Sequence, residues 1–237
     1  SKLKSMSRIA NSFIDINSLV RKNILTMKPY SSARDEFKGE AEVFLDANEN
    51  PYPSPYNRYP DPLQWKVKEK LGEIKNINPK NIFLGNGSDE AIDLLIRAFC
   101  EPNQDSILIT EPTYGMYKVC AEVNAVNVQQ VLLTPGFDLD LDAIPNTFDA
   151  TTKVIFLCSP NNPTGNLLSR DYIVEVLKRF YGLVVIDEVR RQPTLFPVLR
   201  VLMLRLAPIG DCAACAVGPA AVRPRLLPRQ RDRELCG

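Results

Sequence analysis

The sequence predicts an α/β fold in which helices cover both faces of a mostly parallel sheet, giving three layers. Two short apolar runs, residues 153–158 and 182–186, have the length and composition of strands that are buried in a parallel sheet. Between them Ser169 can cap a helix over residues 171–180, which completes a β-α-β unit. Each apolar run leads directly into polar residues, as expected where strands end at a ligand-binding edge.

The remaining elements follow from the same patterns. Residues 16–27 have apolar positions close to helical spacing, and Asp61 can cap a helix that has Pro62 in its first turn. That helix would bury an apolar face made of Leu63, Val67, Leu71 and Ile74. A further helix begins at Ser88. Short strands are predicted at residues 43–46, 82–84 and 106–110 and within 123–133, with a loop over 134–149.

We divide the chain into three parts: an N-terminal helix and arm (1–45), an α/β segment (46–188) and a C-terminal tail (189–237), which a change of composition sets apart. The tail is rich in arginine and proline and contains no lysine, asparagine or tyrosine, although lysine and asparagine are frequent before it. Because neither helical nor strand periodicity is visible there, we predict an irregular tail. The abrupt change favours a frameshifted or misjoined segment.

Charge and cysteine usage narrow the class of protein. The formal net charge of +1 gives no global electrostatic case for nucleic acid or membrane partners. Cys100, Cys120 and Cys158 lie in apolar contexts, which predicts buried thiols and a cytoplasmic setting. The chain has no histidine. No metal site is therefore predicted from Cys212 and Cys215, or from the acidic residues at 138, 140 and 142, which lack the calcium-loop pattern.

Three features of the predicted sheet indicate a site for an anionic, planar ligand. The Gly-rich turn at residues 85–87 leads into a helix, where free backbone N–H groups and the helix dipole can hold an anion. Tyr114 follows a strand and can stack on a flat ring. Asn162 and Asp187 follow the two apolar runs, and together they suit a heterocycle with an oxygen and a ring nitrogen. Each residue could instead fill a structural role, as a cap, a packing residue or a turn.

Residues 159–165, Ser-Pro-Asn-Asn-Pro-Thr-Gly, together with Asp187 and Glu188, resemble the fold-type I aminotransferases, which use pyridoxal 5'-phosphate (PLP). Further segments narrow the resemblance to the histidinol-phosphate aminotransferases, at residues 45–51, 58–61, 85–92 and 111–117. The resemblance covers about residues 20–188 and stops before the tail. It implies an incomplete PLP-transferase large domain.

The resemblance also implies residue roles. Gly87, Ser88 and Asp89 would cradle the PLP phosphate, and Tyr114 would lie over the pyridine ring. Asn162 would bind the ring hydroxyl and contact substrate, while Asp187 would keep the ring nitrogen protonated. Tyr30 would reach the substrate. Tyr59 would bind the cofactor phosphate of a partner subunit, which implies a homodimer.

The family's Schiff-base lysine has no counterpart here. It is expected some thirty residues after Asp187, but the chain has no lysine after Lys178, which we place on the solvent face of its helix. Amino transfer between histidinol phosphate and 2-oxoglutarate, in histidine biosynthesis, is thus the function by ancestry, and this chain is expected to be inactive. The alternatives are a non-catalytic fragment or pseudoenzyme, another PLP aminotransferase, or a phospho-amino-acid decarboxylase.

Overall fold

The computed structural model describes residues 15–31, 36–37, 39 and 41–188, together with the backbone of 198–202 and 214–217. Its centre is a seven-stranded sheet with the order β1-β7-β6-β5-β4-β2-β3. Most neighbouring strands are parallel, while β6 runs antiparallel to both β5 and β7. This arrangement confirms the predicted mostly parallel α/β fold. The strands are β1 Ile82–Leu84, β2 Ser106–Glu111, β3 Asn127–Leu132, β4 Thr152–Cys158, β5 Leu183–Glu188, β6 Val198–Leu202 and β7 Ala214–Val217.

Six α-helices and two short 3-10 helices accompany the strands in the described part of the chain. The α-helices are α1 Lys22–Leu25, α2 Trp65–Lys75, α3 Ser88–Phe99, α4 Met116–Val123, α5 Ala143–Thr147 and α6 Arg170–Arg179. The 3-10 helices span Ile16–Ser18 and Pro79–Asn81. Within the described residues, no helix is long and apolar enough to cross a membrane.

The central strands β2, β4 and β5 are buried on both faces, and a hydrophobic core lies on each side of them. Alternate residues of β4 divide between them: Val154 and Phe156 pack with α3 and α4, whereas Ile155 and Leu157 pack with α5 and α6. This division explains why the strands are continuous apolar runs in the sequence. The apolar face of α3 packs inward, with Ile92 and Ile96 fully buried.

Several predicted elements differ from the structure. Residues 43–46 form no strand, and the predicted loop over 134–149 contains the short helix α5. The N-terminal helical pattern yields only the 3-10 helix and α1. In the tail, which we predicted to be irregular, β6 and β7 join the sheet. Cys212 and Cys236 lie outside the described residues, as does the side chain of Cys215.

Helix α2 begins at Trp65, later than predicted, because Gln64 adopts a left-handed backbone conformation with φ 57°. Asp61 still acts as a cap, since its carboxylate accepts hydrogen bonds from the backbone N–H groups of Leu63 and Trp65. The predicted burial of the apolar face was wrong: Val67 and Ile74 are more than half exposed. Nothing in the described part of the chain covers them.

Gly182 lies where α6 returns to β5, and its backbone approaches that of β4. A Cβ at this position would lie 2.5 Å from the Lys153 carbonyl oxygen and 2.5 Å from the Phe180 ring. We therefore expect Gly182→Ala to lower the free energy of unfolding by roughly 1–3 kcal/mol, because backbone cannot move aside as a side chain can. Urea unfolding measures the change. Gly136→Ala is the control, since its Cβ would meet only Thr134 Oγ1 at 3.9 Å; equal effects of the two substitutions would contradict the packing described.

Candidate functional site

The candidate site lies at the carboxyl edge of the sheet, where β4 and β5 end side by side. Asp187 is the register partner of Cys158, and the Ser159 backbone N–H donates to the Asp187 carbonyl oxygen at 2.9 Å. The turn that follows β4 is thereby fixed beside Asp187. The predicted edge and its acidic residue are in the positions that the apolar runs indicated.

Asp187 is 1% exposed, and its two carboxylate oxygens have different surroundings. Tyr117 Oη donates to Oδ2 at 2.8 Å. Oδ1 is buried and has no hydrogen-bond partner among the described residues. Burial raises the pKa of the Asp187 carboxyl, Tyr117 opposes the rise through its hydrogen bond, and Asp89 adds to it by charge repulsion. An unpaired buried acceptor of this kind is suited to a positively charged N–H donor.

Tyr117, in α4, is the residue that sequence reasoning missed. Its ring is fully buried, stacks on Phe156 at 4.9 Å with a 14° interplanar angle, and meets the Tyr114 ring edge-on at 5.7 Å. Burial, more than any other cause, raises the pKa of its hydroxyl, so it stays a donor. The sequence contains one signal, since Tyr117 follows Tyr114 by three residues, a spacing at which two side chains lie on the same face of a helix.

Tyr114 lies just after β2, and its side chain contacts the first turn of α3. Its hydroxyl donates to Asp89 Oδ1 at 3.0 Å. Burial and this hydrogen bond raise the pKa of Tyr114 to about 12. The two tyrosines therefore each hold one carboxylate, and their ring contact joins Asp89 to Asp187.

The Gly-rich turn before α3 has the features of an anion cradle. Gly87 has φ 86° and ψ −176°, a conformation available almost only to glycine, and a Cβ added to it would meet nothing within 4 Å. The Glu90 carboxylate accepts from the Asn86 backbone N–H and fixes the turn. No side chain caps the first turn of α3. The backbone N–H groups at Ser88 and Asp89 can therefore donate to an anion.

The two asparagines after β4 have different environments. Asn161 is buried, and its amide donates to the Pro112 carbonyl oxygen at 2.9 Å and to Thr164 Oγ1 at 2.7 Å. It ties the turn after β4 to the turn after β2. Asn162 is exposed, which leaves it available to a ligand.

No contact among the described residues links Tyr59 or Tyr30 to Asp187, Asp89 or Tyr114. Tyr30 is 92% exposed. Tyr59 is also exposed, and its backbone N–H donates to Glu49, which pairs with Arg58 at 2.7 Å. Contacts through Tyr114 and Tyr117 thus connect Asp89, which follows Gly87 and Ser88, to Asp187. Asn162 lies in the turn after β4, and the described contacts do not include Tyr30 or Tyr59 in this group.

Acidic and thiol groups elsewhere have structural roles. Asp138 accepts from the Ser169 backbone N–H, and Asp140 accepts from that of Ala143, so both shape the loops around α5 and α6. In the part of the chain that the structure describes, no group of potential ligands could hold a metal ion. Cys100, Cys120 and Cys158 are free and buried, as predicted.

Comparisons with known proteins match the part of the chain that contains the candidate site. Residues 38–189 match the family described as aminotransferase class I and II. The histidinol-phosphate aminotransferase of Parabacteroides distasonis is 61% identical over 174 residues, which are 73% of this chain and 50% of that protein. The enzyme of the same name from Bacteroides thetaiotaomicron is 58% identical over the same shares. The chain spans about half the length of the curated relatives it matches.

Among solved structures, the N-succinyldiaminopimelate aminotransferase of Mycobacterium tuberculosis aligns with a TM-score of 0.48 and 24% sequence identity. The alignment covers 56% of this chain and 38% of that chain.

Proposed function

Because the chain belongs to the aminotransferase class I and II family, we propose that it carries the cofactor-binding part of a histidinol-phosphate aminotransferase site and binds PLP without turning over substrate. Class I and II aminotransferases are PLP-dependent enzymes. The observation that carries the proposal is the unpaired, buried Oδ1 of Asp187. The high identity to curated histidinol-phosphate aminotransferases supports the choice of substrate class.

Each residue has one task in this proposal. When bound, PLP supplies an aldehyde and an electron-accepting ring. Asp187 Oδ1 accepts a hydrogen bond from the protonated ring nitrogen. The negative charge of the carboxylate keeps that nitrogen protonated. The backbone N–H groups of Gly87, Ser88 and Asp89 bind the phosphate. Tyr114 presents a ring face to the cofactor, and the Asn162 amide donates to its ring hydroxyl.

The remaining family roles need a second subunit or the substrate. Tyr59 would bind the cofactor phosphate of the partner in a homodimer, and Tyr30 would contact histidinol phosphate. The exposure of both rings is compatible with these roles. The small-molecule substrates would be histidinol phosphate and 2-oxoglutarate or glutamate. Three buried free thiols support a reducing, cytoplasmic setting.

PLP binding to the full chain tests the proposal. We expect saturable binding, measured by the change in PLP absorbance, and an affinity about tenfold lower for Gly87→Ala, because an alanine strains the turn that holds the phosphate. Gly115→Ala is the matched control, since its Cβ would also meet nothing within 4 Å but its φ is −63°. Absence of saturable binding by the parent chain would overturn the proposal.

The tail needs a separate test. We propose that residues 189–237 are a frameshifted or misjoined continuation of the family sequence, which would explain why the lysine is absent. Sequencing the gene across the codons for residues 181–237 and translating all three frames is expected to give Ala-Tyr after Glu188 and Ser-Lys about thirty residues later. If no frame contains that lysine, the tail belongs to the chain and the frameshift proposal is wrong.

A further inference from the structure

The hydroxyl of Tyr117 is the only hydrogen-bond donor that the described residues supply to the Asp187 carboxylate. It binds Oδ2 at 2.8 Å and leaves Oδ1 without a partner. A carboxylate with neither oxygen held could rotate about its χ2 bond, which is a broad, roughly two-fold torsion. The single hydrogen bond therefore determines which oxygen remains for a ligand.

We propose that Tyr117 is a positioning residue: its hydroxyl occupies Oδ2 of Asp187 and reserves Oδ1 for the protonated ring nitrogen of the cofactor. This inference rests on the proposed function, since it assigns a role to Tyr117 in that same site. Tyr117 acts through Asp187, without a contact of its own to the cofactor.

The Tyr117 ring is held firmly enough to perform this task. It stacks on Phe156 on one side and meets Tyr114 edge-on, and the whole residue is buried in the core between α3, α4 and the sheet. These contacts fix the hydroxyl before any ligand arrives, so the hydrogen bond costs little ordering entropy at binding. A phenylalanine would keep both ring contacts and lose only the hydroxyl.

The charges around Asp187 explain why the hydroxyl matters. Burial and the Asp89 carboxylate, from α3, both raise the pKa of Asp187. Cys158, from β4, is itself buried, and burial raises the pKa of its thiol, so that the thiol stays neutral and brings no charge to the site. Among the neighbouring groups, Tyr117 from α4 alone favours the ionised carboxylate. Without that hydroxyl the carboxyl would bind a proton at higher pH and hold the ring nitrogen less well.

The test compares Tyr117→Phe with the parent chain in two measurements on the full chain. The first follows the Asp187 carboxyl by NMR in cofactor-free protein labelled with ¹³C at aspartate Cγ, with Asp187→Asn to assign the signal. We expect the pKa of Asp187 to rise in the variant. Tyr172→Phe, on the outer surface of α6, is the control and should leave it unchanged.

The second measurement separates positioning from packing. We expect Tyr117→Phe to weaken PLP binding about tenfold, the size expected for one hydrogen bond to a charged group. With the 1-deaza analogue of PLP, in which CH replaces the ring nitrogen, parent and variant should bind equally. An unchanged pKa of Asp187, or an equal loss of affinity for PLP and for the analogue, would overturn the inference.

The two proposals fail in distinguishable ways. If the parent chain does not bind PLP, the proposed function fails. If the pKa of Asp187 nevertheless rises in Tyr117→Phe, the result still supports the claim that the Tyr117 hydroxyl binds the Asp187 carboxylate.

Discussion

Replacing Asp187 with asparagine is expected to weaken the binding of PLP to this chain by at least about thirtyfold, the smaller end of the loss caused by truncating one partner of a buried charge pair. The carboxylate is 1% exposed, and one of its oxygens has no partner in the described residues, so a protonated ring nitrogen would gain a charge-assisted hydrogen bond there. Absorbance titration of both chains measures the loss.

The same substitution should have the opposite effect on the cofactor-free chain. Burial raises the pKa of Asp187 in the folded state, so the stability that its protonated form contributes is present below the ordinary value of 3.8 and is lost as pH rises through the raised value. We therefore expect Asp187→Asn to have a higher free energy of unfolding than the parent chain at pH 8. The difference between the two chains should be smaller at pH 4. Urea unfolding at the two pH values measures this difference.

Asp171→Asn is the control for the binding measurement, because Asp171 lies exposed on α6. It should leave the PLP affinity unchanged. If Asp187→Asn leaves PLP binding unchanged, or destabilises the cofactor-free chain more at pH 8 than at pH 4, then the account of Asp187 given above is wrong.

Transaminase turnover by the 237-residue chain is expected to be no greater than that of free PLP. Nucleophilic and proton-transfer catalysis in this family needs a lysine at the site, and no lysine follows Lys178. Lys178 is exposed on α6 and pairs with Glu175 at 3.4 Å, as the sequence predicted for its solvent-facing position. A coupled assay with histidinol phosphate and 2-oxoglutarate measures turnover.

Borohydride reduction in the presence of PLP gives a second readout of the same prediction. Exposed lysines should be modified to similar, low extents. The distribution of modification over the lysines should be the same in the parent chain and in Gly87→Ala. Stoichiometric modification of a single lysine, or turnover above the free-cofactor rate, would contradict the expected inactivity.

Local patterns predicted the elements that are buried within the sheet. The bounds of the β4-α6-β5 unit were predicted to within two residues and the start of α3 was predicted at Ser88, because continuous apolar runs and turn residues leave few alternatives. The wrong predictions concern apolar segments that have no neighbouring element to pack against. Residues 43–46 have no neighbouring strand to pair with, and Val67 and Ile74 of α2 are more than half exposed.

The site was only partly predictable for a related reason. Gly87 and Asp187 were identified because turn chemistry and a strand end restrict what each can do. The link from Tyr117 to Asp187 joins residues 70 positions apart, and it depends on how α4 packs against the sheet. No local pattern contains that information. The same holds for Asn161 and Asn162, of which the structure buries the first and exposes the second.

The most direct test of the account is the ¹⁵N NMR signal of PLP labelled at its ring nitrogen and bound to the full chain. We predict the chemical shift of a protonated ring nitrogen at a pH at which free PLP is unprotonated there, and loss of that protonation in Asp187→Asn. A bound cofactor with the shift of an unprotonated pyridine would contradict the role assigned to Asp187 and, with it, the proposed cofactor site.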